Sequence, residues 1–331
     1  MAKANKIGIK QAPLDKKLTT RCVVRAVSLK HTQQGKPYLE IEVGDHSGRL
    51  KARLWEKFEK WQQLLSPGTL VSIECTPYEF QGRRELKIHR LAVVAAVSEA
   101  DYLQMLPQYS GDWEALVRRW YAYVENISQP PWQSLLQKFV ENTAILEKYF
   151  QVPGGKLWHH VYIGGLLHHV VSMLHLAEAL VKEYPQLDKQ LLQVGIVFHD
   201  VGKIWCFDYS KGFIEYNTEG RLLGHVVLGA NFVSRLMQEV ELPRPYRTAL
   251  LHLILSHPGN LADGAVVVPQ TREAMALWLL NELDKKLNAT ERILQMDVTT
   301  PEGWSKYSPL LDRFLFQGFH WPKEEKTTDD H

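Results

Sequence analysis

Cysteine is scarce in this chain and long apolar runs are missing, and each absence removes a class of protein. Cys22, Cys75 and Cys206 are the only three cysteines in 331 residues. They are far apart, odd in number and outside any C-x-x-C spacing, which argues against a disulfide framework and a structural zinc site. No apolar stretch reaches the roughly 20 residues that a membrane span requires, and the lysine-bearing N-terminus has no apolar segment behind it. A cytoplasmic chain with reduced thiols and no membrane partner is therefore expected. Repeats and low-complexity segments are also missing. A large net charge is missing too, but the value of +2 is the sum of two unlike parts. Residues 1–97 hold 18 Lys/Arg against 9 Asp/Glu, and the remainder holds 21 against 28. A basic module joined to an acidic one points the first part toward a polyanion.

What is present falls into five stretches. Residues 1–17 are lysine-rich and apolar-poor, so a flexible basic arm is expected there. Between 18 and 97 the pattern is of short strands: Arg21 to Leu29, Tyr38 to Val43, Arg49 to Trp55, Thr69 to Phe80 and Arg83 to Val94. A short helix is expected across Glu56 to Leu65. Three strands, a helix and two strands is the order of a small Greek-key barrel, the OB-fold. Such barrels hold single strands with a basic groove and aromatic platforms. The candidates are Tyr38, Trp55, Tyr78 and Phe80, with Lys36, Arg49, Lys51, Arg53, Arg83, Arg84 and Lys87. Residues 98–131 read as a connector with a helix over Trp113 to Val124. Residues 132–317 read as an all-α domain whose first helix spans Trp132 to Phe150, and 318–331 as a disordered tail.

The all-α part is organised around Val197-Phe198-His199-Asp200-Val201-Gly202-Lys203, where an apolar helix runs into an adjacent imidazole and carboxylate. By itself such a pair can simply cap a helix, so its company decides the reading. His169 shares a helical stripe with Leu166, Met173, Leu176 and Leu180, whereas His168 shares one with His175, Glu178 and Lys182, expected to face solvent. His225 falls on the face of Leu228, Phe232 and Leu236. His257 ends a helix over Tyr246 to Ser256, and Asp284 lies with Leu277, Leu280 and Leu287 in a helix over Thr271 to Leu287. A carboxylate on that face is costly unless a cation compensates it. Imidazole and carboxylate together suit Mn²⁺, Fe²⁺, Co²⁺ or Zn²⁺. His169, His199, Asp200, His225, His257 and Asp284 would suffice for one ion, or for two about 3.5–4 Å apart bridged by Asp200, the arrangement used for phosphate-ester hydrolysis. His159 and His160, expected in the first turn of the helix that carries His169, are candidates to touch substrate phosphate or to cap that helix.

The order His169, His199-Asp200 and Asp284 on helices resembles the HD-domain metal-dependent phosphohydrolases. With the barrel and the stretches Gly164 to Leu174, His199 to Lys203, Glu219 to His225 and Ile254 to His257, the chain more closely resembles the YhaM-type 3′→5′ exoribonucleases, from about residue 18 to 290. The resemblance implies Mn²⁺-dependent removal of nucleotides from the 3′ end of single-stranded RNA, and often DNA, by water attack on a phosphodiester. By position, His169, His199, Asp200 and Asp284 would hold a first metal, and His225 and His257 would help to hold a second. Asp200 and Lys203 would be the catalytic pair, with Lys203 on the scissile phosphate; a compact cation there can stabilise developing charge. The competing reading of Lys203 is a surface residue at a helix C-terminus. Pro258 stands where the family has a second histidine, so the second metal would be held more weakly, completed by water, or completed by His252. Two alternatives accompany the exonuclease: a nucleotide or cyclic-dinucleotide phosphohydrolase, and a nucleic-acid-binding protein whose catalysis has lapsed. Homo-oligomerisation is an open expectation.

Overall fold

The computed structural model describes residues 7–80, 82–296 and 302–318. Strand alternation builds the N-terminal barrel: β1 (Leu18–His31), β2 (Pro37–Asp45), β3 (Gly48–Leu54), β4 (Leu70–Phe80) and β5 (Arg83–Val93). They close in the order β1-β2-β3-β5-β4, with β3 and β5 parallel and the other pairs antiparallel. Inward residues alternate as the period of two requires, for example Leu39, Ile41 and Val43 on β2. The short helix α1 (Glu59–Leu64) precedes β4. This is the OB-fold barrel that the strand pattern implied.

Residues 7–17 depart from the expected flexible arm. Ile9 and Ala12 are buried, the Ile9 N–H donates to the Asp45 carboxylate at 2.9 Å, and Arg84 donates to the Lys10 and Ala12 carbonyls. Two isolated apolar residues leave no periodic signal, yet they suffice to dock the segment on the barrel.

The chain then turns helical: α2 (Glu99–Leu103), α3 (Trp113–Glu125), α4 (Pro130–Glu141), α5 (Thr143–Gln151), α6 (Gly165–Glu183) and α7 (Lys189–Phe198). A 3-10 turn at Val201–Trp205 leads to a two-strand hairpin of β6 (Phe207–Asp208) and β7 (Glu215–Tyr216). After it come α8 (Thr218–Leu222), α9 (Gly224–Glu239), α10 (Arg244–Ser256) and α11 (Arg272–Met296). Residues 302–318 hold isolated bridges between Trp304 and Phe316 and between Ser308 and Arg313. The expected tail lies outside the described residues apart from its first position. No helix among the described residues is long and apolar enough to cross a membrane.

Three expectations about the helices change. The segment expected as a connector contributes to the helical core, because α3 buries Leu116 and Trp120, and Trp120 meets the Phe150 ring at 5.1 Å. The single helix expected over Trp132 to Phe150 is two, broken at Asn142 (ψ 72°), whose side chain accepts the Ile145 N–H as the cap of α5. His159 and His160 precede α6 rather than opening it. There the chain folds back, with Gly154 N–H donating to the His160 carbonyl at 2.9 Å and His160 at φ 48°.

Barrel and helices meet at the β6–β7 loop and at α2. Arg25 of β1 stacks over Phe213 at 4.9 Å, and the Tyr102 hydroxyl donates to the Gly68 carbonyl at 2.9 Å.

Candidate metal centre and nucleic-acid interface

Asp200 follows the end of α7, fully buried, and its two carboxylate oxygens face different partners. Oδ2 lies 3.2 Å from His199 Nε2, 3.7 Å from His169 Nε2 and 2.6 Å from Lys203 Nζ. Oδ1 lies 3.2 Å from His225 Nε2 and 3.5 Å from His257 Nε2. Within each histidine pair the Nε2 atoms are 3.3 Å apart. The ligand-capable atoms of His169, His199 and Asp200 form one group, and those of Asp200, His225 and His257 another, with Asp200 common to both.

These side chains meet because the helices cross closely behind them. A Cβ at Gly202 would strike the His225 carbonyl oxygen and the Gly229 nitrogen. Glycine therefore lets the turn carrying Asp200 and Lys203 press on α9, which carries His225.

The imidazoles are oriented from behind. His199 Nδ1–H donates to the Ile196 carbonyl at 2.8 Å and His257 Nδ1–H to the Ile254 carbonyl at 2.7 Å. A carbonyl only accepts, so Nδ1 carries a proton in both rings, and Nε2 is the nitrogen turned toward Asp200. Burial pushes His257 down to about 3 and His169 down to about 4, although Asp200 and Asp284 respectively pull them up. Burial would raise Asp200, but Lys203 and His199 outweigh it and hold this carboxyl well below the usual range. The neutral rings of His169 and His257 thus lie 3.7 and 3.5 Å from the ionised carboxylate, and His199 and His225 each bring Nε2 to 3.2 Å from it. Four ring nitrogens converging on a buried carboxylate are a donor set that fits divalent cations well.

Asp284 is brought near but placed differently from the expectation. Its Oδ2 lies 2.5 Å from His169 Nδ1 and 2.7 Å from His160 Nε2, behind the imidazole rather than among the groups that converge on Asp200. Burial would raise its pKa, but the hydrogen bonds from His160 and His169 hold it far below the ordinary value. His160, expected near substrate phosphate, is instead fully buried in this support. Its backbone N–H donates to Asn288 at 2.7 Å, and its Nδ1 meets the Tyr162 hydroxyl at 2.8 Å. Tyr162 also contacts His168 Nδ1 at 2.6 Å, so the stripe expected in solvent is half-buried at that point. Sequence reasoning missed Tyr162 and Asn288, which carry no spacing signal and act through other residues.

A cavity of about 380 Å³ opens onto Asp200, lined among others by Lys203, His159, His225, His257 and Pro258. Lys203 is not a surface lysine: it is buried and also donates to the Gly154 carbonyl at 2.5 Å. His159 is neutral at ordinary pH, since burial and then Lys203 push its pKa far down. His252 stands apart from this group, accepting the Gln270 N–H at 3.0 Å, so it does not take the place of the residue that Pro258 replaces. Trp158, Asn281 and Lys285 also line the cavity and were not anticipated.

On the barrel, Tyr38 and Trp55 stack at 4.6 Å and 28°, because the register pairing Leu39 with Leu54 brings their neighbours side by side. Arg53 covers Phe80 at 4.5 Å and Tyr38 at 5.5 Å. Several of the expected phosphate contacts are already engaged. Arg53 pairs with buried Glu85 at 2.9 Å, the Tyr78 hydroxyl donates to the same carboxylate at 2.8 Å, and Arg84 is held by the N-terminal carbonyls. Arg49 and Lys51 pair with Glu42 and Glu40 at the surface, contacts weak enough to exchange for phosphate. Arg83 is exposed on β5. Trp55 also lines a separate groove of about 770 Å³ with Trp61, Lys87, His89 and Arg90. Of these, sequence reasoning missed Trp61, His89 and Arg90.

The barrel and the buried His/Asp cluster define an OB-fold joined to a helical HD domain. The family description "HD domain" matches residues 166–286, and "OB-fold nucleic acid binding domain" matches residues 21–94. Both halves have a counterpart in single proteins of similar length. The chain is 30% identical over 305 residues to the 3′-5′ exoribonuclease YhaM of Shouchella clausii, covering 90% of this chain and 92% of that one. It is 30% identical over 264 residues to the YhaM of Bacillus subtilis (79% and 82% covered), and 28% over 321 residues to that of a Geobacillus species (94% and 97%). The chain belongs to the YhaM family.

Proposed function

We propose that the protein is a metal-dependent 3′→5′ exonuclease of single-stranded RNA, able also to accept DNA, with Mn²⁺ as its preferred ion. The observation that carries this reading is Asp200, whose two oxygens each face a separate histidine pair at the floor of an open cavity. Exoribonuclease activity is what the names of its relatives state.

His169 and His199 with Asp200 would hold one ion, and Asp200, His225 and His257 a second. Divalent ions there would supply Lewis acidity toward the phosphodiester and acidify the attacking water. The chain's own residues do the rest. Ile196, Ile254 and Asp284 fix the imidazole tautomers, and Asp284 is in turn fixed by His160, so ligand lone pairs are aimed before anything binds. Lys203 places a positive charge beside Asp200 at the cavity wall, where a non-bridging phosphate oxygen would gain from it. The barrel would hold the strand upstream by stacking on Tyr38 and Trp55 and by exchangeable surface cations such as Arg49, Lys51 and Arg83. The preserved convergence of buried imidazole and carboxylate favours catalysis over a lapsed site.

The test is digestion of a 5′-labelled single-stranded RNA. A descending ladder that needs Mn²⁺ and stops with a chelator is the expected result. An intact oligomer beside hydrolysis of a free nucleotide would replace this reading with the nucleotide phosphohydrolase.

A prediction for the barrel arises from the stack. Trp55→Ala should weaken single-strand binding roughly 5- to 150-fold, since base stacking on an aromatic is worth about 1–3 kcal/mol. Cleavage of a dinucleotide should hardly change. Binding measured by fluorescence anisotropy across a salt series checks this: unchanged affinity would move the strand's path away from this face.

A further inference from the structure

The outer side of α11 is apolar where a helix facing water carries charge. Met275, Leu279, Leu283 and Leu287 recur every fourth residue and are 45%, 57%, 45% and 60% exposed, whereas Ala274, Leu277 and Leu280 on the other side enter the core. The exposed positions between 272 and 291 are Arg272, Met275, Leu279, Leu283, Lys286, Leu287 and Glu291. We propose that this ridge is the contact through which two copies of the chain pair, α11 against α11, antiparallel about a two-fold axis.

The occupant follows from the pattern's self-complementarity. Turning the helix end for end about residue 281 exchanges Leu279 with Leu283 and Met275 with Leu287, so each apolar side chain of the ridge meets an apolar partner. Arg272 ends the ridge on one side and Glu291 on the other, so an antiparallel mate brings opposite charges to each end of the contact. A parallel mate would bring like charges together. Ridges built from every fourth residue interlock at a crossing near −50°. A two-fold contact of this kind closes on itself and yields a defined dimer. The ridge alone falls short of the about 800 Å² per partner that a stable interface needs. Leu261, Val266, Val267 and Val268, in the segment leading into α11, are exposed as well and are the further apolar area that the pairing would recruit. Because Asn281, Glu282 and Lys285 of this helix line the cavity, pairing would buttress the cavity walls of both copies.

Light scattering coupled to size exclusion tests the pairing on the full chain. At micromolar concentration the mass should be at least twice the 38.1 kDa of one chain. Leu279→Lys and Leu283→Glu should each give a single-chain mass with an unchanged circular-dichroism spectrum, since both positions are exposed. An equimolar mixture of the two variants should return to the paired mass, because the register sets each introduced charge against its opposite. A wild-type chain that runs as a monomer overturns the proposal and leaves the ridge to a different occupant. Variants that keep the wild-type mass overturn it by placing the contact elsewhere, and a mixture that stays monomeric overturns the register.

Discussion

Asp200→Asn should remove the nucleotide ladder altogether, lowering the cleavage rate by roughly 10³-fold or more at saturating Mn²⁺, on the scale of several kcal/mol of lost charge stabilisation. The substitution keeps the shape of the side chain and removes its charge. It also turns one of the two oxygens into an amide nitrogen that donates, so both histidine pairs lose their anionic partner and one of them faces a donor in its place, whichever way the amide settles. Bound metal measured on the same preparation should fall in step with activity. The folded state should suffer as well: Lys203 is buried 2.6 Å from Asp200, and stripping one partner from a buried ion pair costs about 3–5 kcal/mol. A melting temperature taken without metal should therefore drop, while the far-ultraviolet circular dichroism at low temperature stays that of the wild type. A variant that still produces the ladder at near the wild-type rate would show that the two histidine pairs do not need this carboxylate, and the proposed centre would be wrong.

What could be read from the residues divides along physical lines. Strand alternation reveals the barrel because each half-buried strand must show its period to fold, and Leu39, Ile41 and Val43 do so. The convergence of His199, Asp200, His225 and His257 is legible for a related reason: polar side chains on apolar helical faces are costly unless they meet something, and here they meet one another. The features that stayed hidden depend on contacts without a period. Ile9 and Ala12 dock the N-terminal segment singly. The fold-back of residues 154–165, which pulls His159 and His160 out of the helix, rests on backbone contacts between Gly154, His160 and Gly165. Helical periodicity places Asp284 on the inward face without saying which histidine nitrogen it will reach, and that choice decides whether it faces the cavity or stands behind His169. On the barrel, composition counts cations but not their partners, so Arg84 and Arg53 look as available as Arg83.

Lys203→Met offers the second large effect and separates two roles that the geometry gives the same ammonium group. Two of its three protons are taken, by Asp200 and by the Gly154 carbonyl, and the residue lines the cavity above the candidate metal centre. Methionine fills a similar volume without the charge, so packing against the Gly154 loop should persist. If the third proton serves the phosphate in the transition state, kcat should fall about 10²- to 10³-fold, the cost of losing one preorganised donor, with KM and bound metal nearly constant. Lys203→Arg should not restore the rate, because a planar fork cannot reproduce a compact point charge in a space bounded by a backbone carbonyl. If instead the lysine serves only to tether Asp200, Lys203→Met should lower metal content and activity together. A kcat within a few-fold of wild type, with metal retained, would remove Lys203 from the reaction and leave the phosphate to the ions and His159.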